Sequence, residues 1–318
     1  MTTTLNPTSL AQFSIRRLRN ISPTVLYYKY QYRPLILDSP RFECFGEAEF
    51  EIHMIVCAKD VLDAIWTVKS FFFYSGLRPC VYIHEDGSFT EKHRSLFAEH
   101  FGGIKIITAA ESDTRMKKFL TRYPVTYSYR QKPSFYCARK LLDVLNYGSA
   151  QQLLILDSDV LFFQKPTELL SCVQKQKSCF NSDYKSAYAL SARSFFESIE
   201  KPILESVNAG LVLIDRKFHI SQLPVIESYF SFVSGLPQPR DINRHEQSIY
   251  ALFLSLADAH RLSAAYQISS AQITSQTISH HFVNDGSRAF FYSRGLRQLR
   301  KKEFLSELAS QKLSRLSQ

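Results

Sequence analysis

The segment Leu153-Leu154-Ile155-Leu156-Asp157-Ser158-Asp159 is an apolar run of strand length that stops at two carboxylates one residue apart. On an extended chain, residues i and i+2 point to the same side, so Asp157 and Asp159 at a strand end face one point in space. Two hard oxygen donors at one point suit Mg²⁺ or Mn²⁺, and such an ion can hold a diphosphate. Unpaired carboxylates buried there would repel each other, and a cation relieves that cost. A bare D-x-D is more often a turn or a helix cap; its place directly after Leu-Leu-Ile-Leu is what argues for a site.

Working outward, the neighbouring segments alternate between strand and helix patterns. Ile52–Ala58 is a short apolar run that reads as a buried strand. Asp60 is placed to cap a helix with Val61, Leu62, Ile65, Val68 and Phe72 at helical spacing, and Gly76 is placed to end it. Cys80–His84 reads as a strand, Thr90–Phe101 as a helix closed by Gly102-Gly103, and Ile104–Thr108 as a third strand. Ser134 is placed to cap a helix with Ala138, Leu141, Leu142 and Leu145 on one face, stopping near Gly148. The strand ending at Asp157 follows. This order predicts a mostly parallel sheet with crossover helices, in which ligands bind beyond the carboxyl ends of strands. Further on, Val207–Asp215 reads as a strand with a glycine near its start. Glu246–Leu256 reads as a helix with Ile249, Leu252, Phe253 and Leu256 inward.

Length and composition bound the function classes. The chain has 318 residues, enough for one large α/β domain or two small ones, and 45% hydrophobic residues, enough for a full core. The formal net charge of +10 fits phosphate-bearing ligands, anionic lipid or nucleic acid without choosing among them. Six cysteines include no C-x-x-C pair, which argues against a zinc ribbon or redox motif. Cys57 and Cys137 read as small core residues, and a reduced, cytoplasmic protein is the expectation. No run of 18 apolar residues predicts a membrane-spanning helix, and the first residues lack the apolar core of a signal peptide. There is no G-x-G-x-x-G and no G-K-[ST], against the dinucleotide-binding and P-loop classes. The expected organisation is an N-terminal extension over 1–49, a nucleotide-binding half over 50–160, an acceptor half over 161–290 and a basic tail helix over 291–318. The extension carries Arg16, Arg17 and Arg19 and a tyrosine-rich stretch with no clean period. The tail has seven basic residues against two acidic, with Leu305, Leu308, Leu313 and Leu316 as an apolar stripe. That pattern permits docking on the parent domain or peripheral contact with an anionic membrane.

Four segments, in order, carry a family resemblance. They are Leu154-Ile155-Leu156-Asp157-Ser158-Asp159-Val160, Asn208-Ala209-Gly210-Leu211-Val212-Leu213-Ile214-Asp215, Glu246-Gln247-Ser248-Ile249-Tyr250, and His281-Phe282-Val283-Asn284 followed by Arg288 and Phe291-Tyr292. Together they resemble the D-x-D strand end, N-A-G strand, D/E-Q helix start and late H-Y-x-G segment of GT-A-fold glycosyltransferases, in the pattern of the glycogenin/galactosyltransferase-like (family 8-type) group. The resemblance covers about residues 50–295. It implies a Rossmann-like, mostly parallel mixed sheet flanked by helices in a single large domain. It also implies metal-dependent transfer of a sugar from a nucleotide donor, UDP-linked by expectation, to a hydroxyl of a glycan, lipid or protein acceptor.

The same resemblance implies residue roles. Asp157, Asp159 and His281 would bind Mn²⁺ or Mg²⁺. His280 competes with His281, since only one of two neighbours on a strand can face the metal. The family's glycine is Asn284 here, with Gly286 two residues later. Arg288 would contact the diphosphate, whose negative charge grows as the sugar bond breaks; a surface arginine is its plain alternative. Lys140, on the helix before the D-x-D strand, would sit near the nucleotide sugar unless it is an exposed helix lysine. Ala58, through its backbone, and Asp60 would cradle the nucleoside, and Ser158 lies between the two metal-binding aspartates. Asn208 and Gly210 would line the sugar site, one reading hydroxyls and the other admitting the ligand to the backbone. Glu246 would be a base or a sugar-binding carboxylate, or else a first-turn acid favoured by the helix dipole. Asp183 receives no role.

Two other classes compete. A nucleotidyltransferase would need a glycine-rich basic loop after the first strand, and Cys57-Ala58-Lys59-Asp60 lacks the glycines. A non-enzymatic basic module for anionic lipid or nucleic acid leaves the D-x-D strand end unexplained, and no nucleic-acid partner is expected.

Overall fold

The structure is a computed structural model, and it describes residues 23–44, 49–201, 203–236, 242–269, 271–283, 289–301 and 304. Arg288, Asn284, Gly286 and the leucine stripe of the tail lie outside the described residues.

A seven-stranded sheet forms the centre. Its strands in chain order are β2 (Phe50–Val56), β3 (Val81–Glu85), β5 (Lys105–Ile107), β6 (Gln152–Leu156), β8 (Cys179–Ser182), β9 (Val207–Asp215) and β10 (His260–Arg261), ordered in space β10-β8-β9-β6-β2-β3-β5. β6, β2, β3 and β5 are parallel, and β9 runs antiparallel to both β6 and β8. The fold class read from the sequence is therefore observed: α/β, mixed and mostly parallel, with helices on both faces. A smaller sheet, β11 (Tyr266–Ile268), β12 (Ser279–His281) and β7 (Val160–Phe162), runs beside it; β7 begins one residue after Asp159. β1 (Phe42–Glu43) pairs with β4 (Phe101–Gly102).

Two apolar clusters flank the central sheet, because alternate residues of each strand face opposite sides. Ile52, Leu154, Leu156, Leu211 and Leu213 pack on one side against the helix Val61–Ser75. Leu153, Ile155, Val212 and Ile214 pack on the other against the helix Arg244–Leu256. Every residue of β6 is buried, as expected for a central strand covered on both faces.

Several local expectations need correction. The first strand begins at Phe50 and ends at Val56, and Ala58–Asp60 form a 3-10 turn. Asp60 precedes the helix but makes no side-chain cap; its carboxylate accepts from Cys57 Sγ at 3.0 Å. Gly76 does end that helix, at a φ of 73° that suits a residue without Cβ. The helix after β3 runs Glu91–His100 behind Thr90, and Phe101-Gly102 peels off to pair with β1. Ser134 caps nothing: the helix is the short Ala138–Leu142 continued by a 3-10 turn to Asn146, and the Ser134 carbonyl accepts from Asn243 Nδ2. Cys57 and Cys137 are half-buried, as are Leu62 and Leu256, which had been expected inward. The extension contains a helix, Pro23–Leu37, which its period did not reveal. The described part of the tail is a π-helical turn Phe291–Leu296 followed by the helix Arg297–Lys301. Among the described residues no helix is long and apolar enough to cross a membrane.

Candidate active site

The D-S-D turn is held by its main chain before any side chain acts. The Asp157 N–H donates to the Gly210 carbonyl at 2.9 Å, extending the β6–β9 ladder one step past its last strand pair, Leu156 and Leu211. The Asp159 carbonyl accepts from the Phe282 N–H at 3.0 Å, just beyond the antiparallel pairing of Val160 with His281. The Ser158 carbonyl accepts from Thr67 Oγ1 at 2.8 Å, so the helix Val61–Ser75 fixes the middle of the turn. The three contacts come from three elements, and together they set the direction of both carboxylates.

His281 meets them from β12. Its Nε2 lies 3.1 Å from Asp159 Oδ1 and 3.5 Å from Asp157 Oδ2. One ligand atom from each of Asp157, Asp159 and His281 falls within 4.8 Å of the others. The choice between neighbouring histidines is thus resolved geometrically: His280 turns away and bonds the Ser269 carbonyl at 3.0 Å.

The tautomer of His281 follows from its other nitrogen. Nδ1 is 2.7 Å from Asn208 Oδ1, and the same oxygen accepts from the Gly210 N–H at 3.0 Å. An atom that accepts from a backbone N–H is a carbonyl oxygen, so Nδ1 must donate to it. Neutral His281 then aims the Nε2 lone pair at the point the carboxylates share, as a ligating imidazole does. Burial opposes charge on His281, but Asp159 and Asp157 outweigh it and hold its pKa above the ordinary value. Gly210 lies directly beneath the ring: a Cβ there would stand 2.0 Å from His281 Cε1. Only glycine leaves room for this imidazole.

Lys140 and Glu246 close the other side. Lys140 Nζ lies 2.8 Å from Asp157 Oδ1 and 3.1 Å from Glu246 Oε1; Lys140 and Glu246 are buried, while 30% of the Asp157 side chain is exposed. Burial works against the ammonium, yet Asp157 and then Glu246 carry its pKa well above the ordinary value. Glu246 is pushed up to about 7, chiefly by burial, with Lys140 opposing. Tyr250, one turn along from Glu246, donates its hydroxyl to the Lys140 carbonyl at 3.0 Å and fixes the two helices together. Lys140 is therefore neither an exposed helix lysine nor a free cation; it bridges two acids.

The structure thus brings together Asp157, Ser158, Asp159, His281, Asn208, Gly210, Lys140 and Glu246. Ala58 and Asp60 make their contacts at the neighbouring strand end. The Ala58 N–H is engaged by Ser88 Oγ at 2.8 Å, and Asp60 is buried against Cys57.

Two residues that the sequence left without a role lie beside this group, next to Asn208. Asn208 Nδ2 donates to Asp183 Oδ2 at 3.4 Å, so one amide spans His281 and Asp183. Asn181 stands opposite Asn208 across β8 and β9, next to an irregularity in the ladder. It is fully buried, and neither amide atom has a hydrogen-bond partner. A buried amide in that condition is costly, by about 1–3 kcal/mol per unsatisfied group. The signal in sequence was the polar run Asn181-Ser182-Asp183 directly after Cys179-Phe180, a weaker version of the Asp157 pattern.

No protein-family model matches the sequence, and no curated protein matches it by sequence. Solved structures do match by shape. The galactosyltransferase LgtC, in complex with donor and acceptor sugar analogues, is 13% identical, with 82% of this chain and 95% of that one covered at a TM-score of 0.50. Mouse xyloside xylosyltransferase 1, in its apo form, is 12% identical, with 74% and 98% covered at a TM-score of 0.49. With the sheet order and the four ordered segments already described, the likeness to LgtC assigns the chain a GT-A glycosyltransferase fold.

Proposed function

We propose that this chain transfers a sugar from a nucleoside diphosphate donor, UDP-linked, to a hydroxyl of an acceptor. The observation that carries the reading is the convergence of Asp157, Asp159 and His281 from two strand ends and a third strand on one point. The donor set fits a divalent ion. Two carboxylates and an imidazole, with the imidazole tautomer fixed by Asn208, suit Mn²⁺ better than a carboxylate-only site would. When bound, such an ion supplies Lewis-acid stabilisation of the charge that develops on a departing diphosphate.

The chain's own residues would do the rest. Lys140 holds Asp157 in place and keeps a positive charge beside the phosphate position. Asn208, shared between His281 and Asp183, presents an amide to the space where a sugar would lie. Glu246, with its pKa near 7, is a carboxyl able to accept or return a proton near neutrality. Fold likeness to LgtC, a galactosyltransferase in complex with donor and acceptor sugar analogues, supports the reaction class.

Calorimetric titration of UDP and GDP, with and without Mn²⁺, tests the reading on the wild type and on Asp159→Asn. UDP binding that needs Mn²⁺ and is lost in the variant supports it. Binding indifferent to both removes it. Slow hydrolysis of a panel of nucleotide sugars, without acceptor, would then name the donor.

A further inference from the structure

The helix Pro23–Leu37 has an inner and an outer face. Tyr32 and Ile36 are buried in the core cluster, while Leu26, Tyr27 and Tyr30 are 51%, 61% and 82% exposed. At 3.6 residues per turn, positions 29, 33, 26, 30, 34 and 27 follow one another around an arc of roughly 160°. All six are exposed. The outer face is therefore ordered: Lys29 and Arg33 form one edge, and Leu26, Tyr30, Pro34 and Tyr27 fill the rest.

The basic edge continues onto the C-terminal segment. Lys29 Nζ sits 5.1 Å from the centroid of the Tyr292 ring. Tyr32, one turn along from Lys29, lies close enough to Arg300 and Arg297 for both to bear on its hydroxyl, with Arg300 hydrogen-bonded to it. Arg294, Arg297 and Arg300 are exposed. Neither the helix Pro23–Leu37 nor the segment from Phe291 to Lys301 contains an acidic residue. The nearest carboxylate in sequence on the helix side is Asp38, past its last turn.

We propose that this face docks on an anionic lipid bilayer. A large exposed aromatic and aliphatic surface beside a row of cations is the arrangement that sinks apolar side chains to the acyl boundary and leaves the charges at the phosphates. Tyrosine suits that depth because its ring is apolar and its hydroxyl polar. A nucleic acid would call for cations spread along a groove. Here they line one border of the face, and Leu26, Tyr30, Pro34 and Tyr27 fill the rest. The proposal stands on this surface alone and does not depend on the transferase reading.

Co-sedimentation of the full chain with phosphatidylcholine vesicles, with and without phosphatidylglycerol, tests it. Wild type is expected in the pellet only with phosphatidylglycerol. Each basic residue near an anionic surface is worth about five-fold in partition, so Lys29→Ser/Arg33→Ser should weaken binding about 25-fold. Leu26→Ser/Tyr27→Ser/Tyr30→Ser should still bind at low salt but leave the vesicles at a salt concentration that wild type withstands. Circular dichroism melts of both variants should match wild type, because every altered side chain is exposed. The proposal is overturned if wild type ignores phosphatidylglycerol, or if both variants, folded, partition as wild type does. It is equally overturned if RNA removes wild type from the vesicles while the variants' loss appears toward RNA alone.

Discussion

Two clusters of buried charge sit on the same sheet and are built by different rules. In one, Arg130 Nε and Nη2 grip Asp143 at 2.6 and 2.7 Å, Nη1 reaches Asp113 at 2.8 Å, Arg139 shares Asp113, and Ser112 donates to Asp143. Two guanidiniums face two carboxylates there, and Asp143 is wholly buried. In the other, Asp157, Asp159 and Glu246 face the single ammonium of Lys140 and the imidazole of His281. The first cluster is complete within the chain. Among the described residues the second sets three carboxylates against one ammonium and one imidazole, and ligand atoms of Asp157, Asp159 and His281 converge on one point. A buried ion network that closes on itself is architecture; one whose ligand atoms converge on a point is a candidate binding site.

The comparison can be broken at several points. Asp159→Asn should lower any metal-dependent turnover on the order of 10³-fold, since a Lewis-acid contribution of several kcal/mol would be lost. Urea unfolding without metal should change far less, because Asn keeps the size of Asp and an oxygen beside His281. Arg130→Ala should do the reverse. It leaves Asp143 buried with only Ser112 and the more distant Arg139, at 3.8 Å, and should cost about 3 kcal/mol in urea unfolding. Equal stability losses in the two variants would erase the distinction drawn here.

Gly210→Ala sharpens the comparison within the site. The new Cβ must displace His281 while the carboxylates stay, so Mn²⁺ affinity should fall about 10- to 100-fold, with a smaller change in melting. Titration of Mn²⁺ against both proteins reads it directly.

Acid gives a further separation. His219, packed between Tyr250 and Phe253, has its pKa pushed down to about 3, first by burial and then by Arg216. An unfolded histidine takes up a proton near pH 6.5, and this one resists until about 3. The unfolded state therefore binds more protons between those values, and stability falls as pH falls. By pH 5 the loss from this residue should be about 2 kcal/mol. His219→Phe should flatten the stability profile from pH 7 to 5 by about one proton, measured by urea unfolding at each pH. Smallest of all, Asn181→Leu should leave stability unchanged or raise it slightly, since it removes unsatisfied buried amide atoms. If it also weakens nucleotide-sugar binding, the amide faces the ligand.

Much of this molecule was legible before any coordinates. The strand Val207–Asp215 has the bounds its apolar run suggested, and the carboxylate pair stands where Leu-Leu-Ile-Leu ends. These readings worked because a buried strand is a local pattern. What stayed hidden depends on distant partners. Lys140 was expected near the site, but its bridge between Asp157 and Glu246 could not be read before both acids were placed around it. Asp60 looked like a cap, but the thiol of Cys57 claimed its carboxylate. Asn181 and Asp183 lie beside the site because β8 is irregular next to Asn208, and nothing in a polar tripeptide announces an irregular ladder. The helix Pro23–Leu37 showed no clean period because its outer face carries leucine and tyrosines as well as its inner one.

The pairing of Val160 with His281 has a consequence in time. Asp159 and His281 are far apart in the chain, and they meet only when β12 has docked on β7. A one-residue slip of that strand would present His280 instead of His281 to the carboxylates. During synthesis the acidic turn can form early, on the central sheet, while His281 is still unmade. Contacts so distant in sequence close late. A chain cut short before residue 281 can therefore fold much of its sheet and still lack the imidazole that meets the two carboxylates.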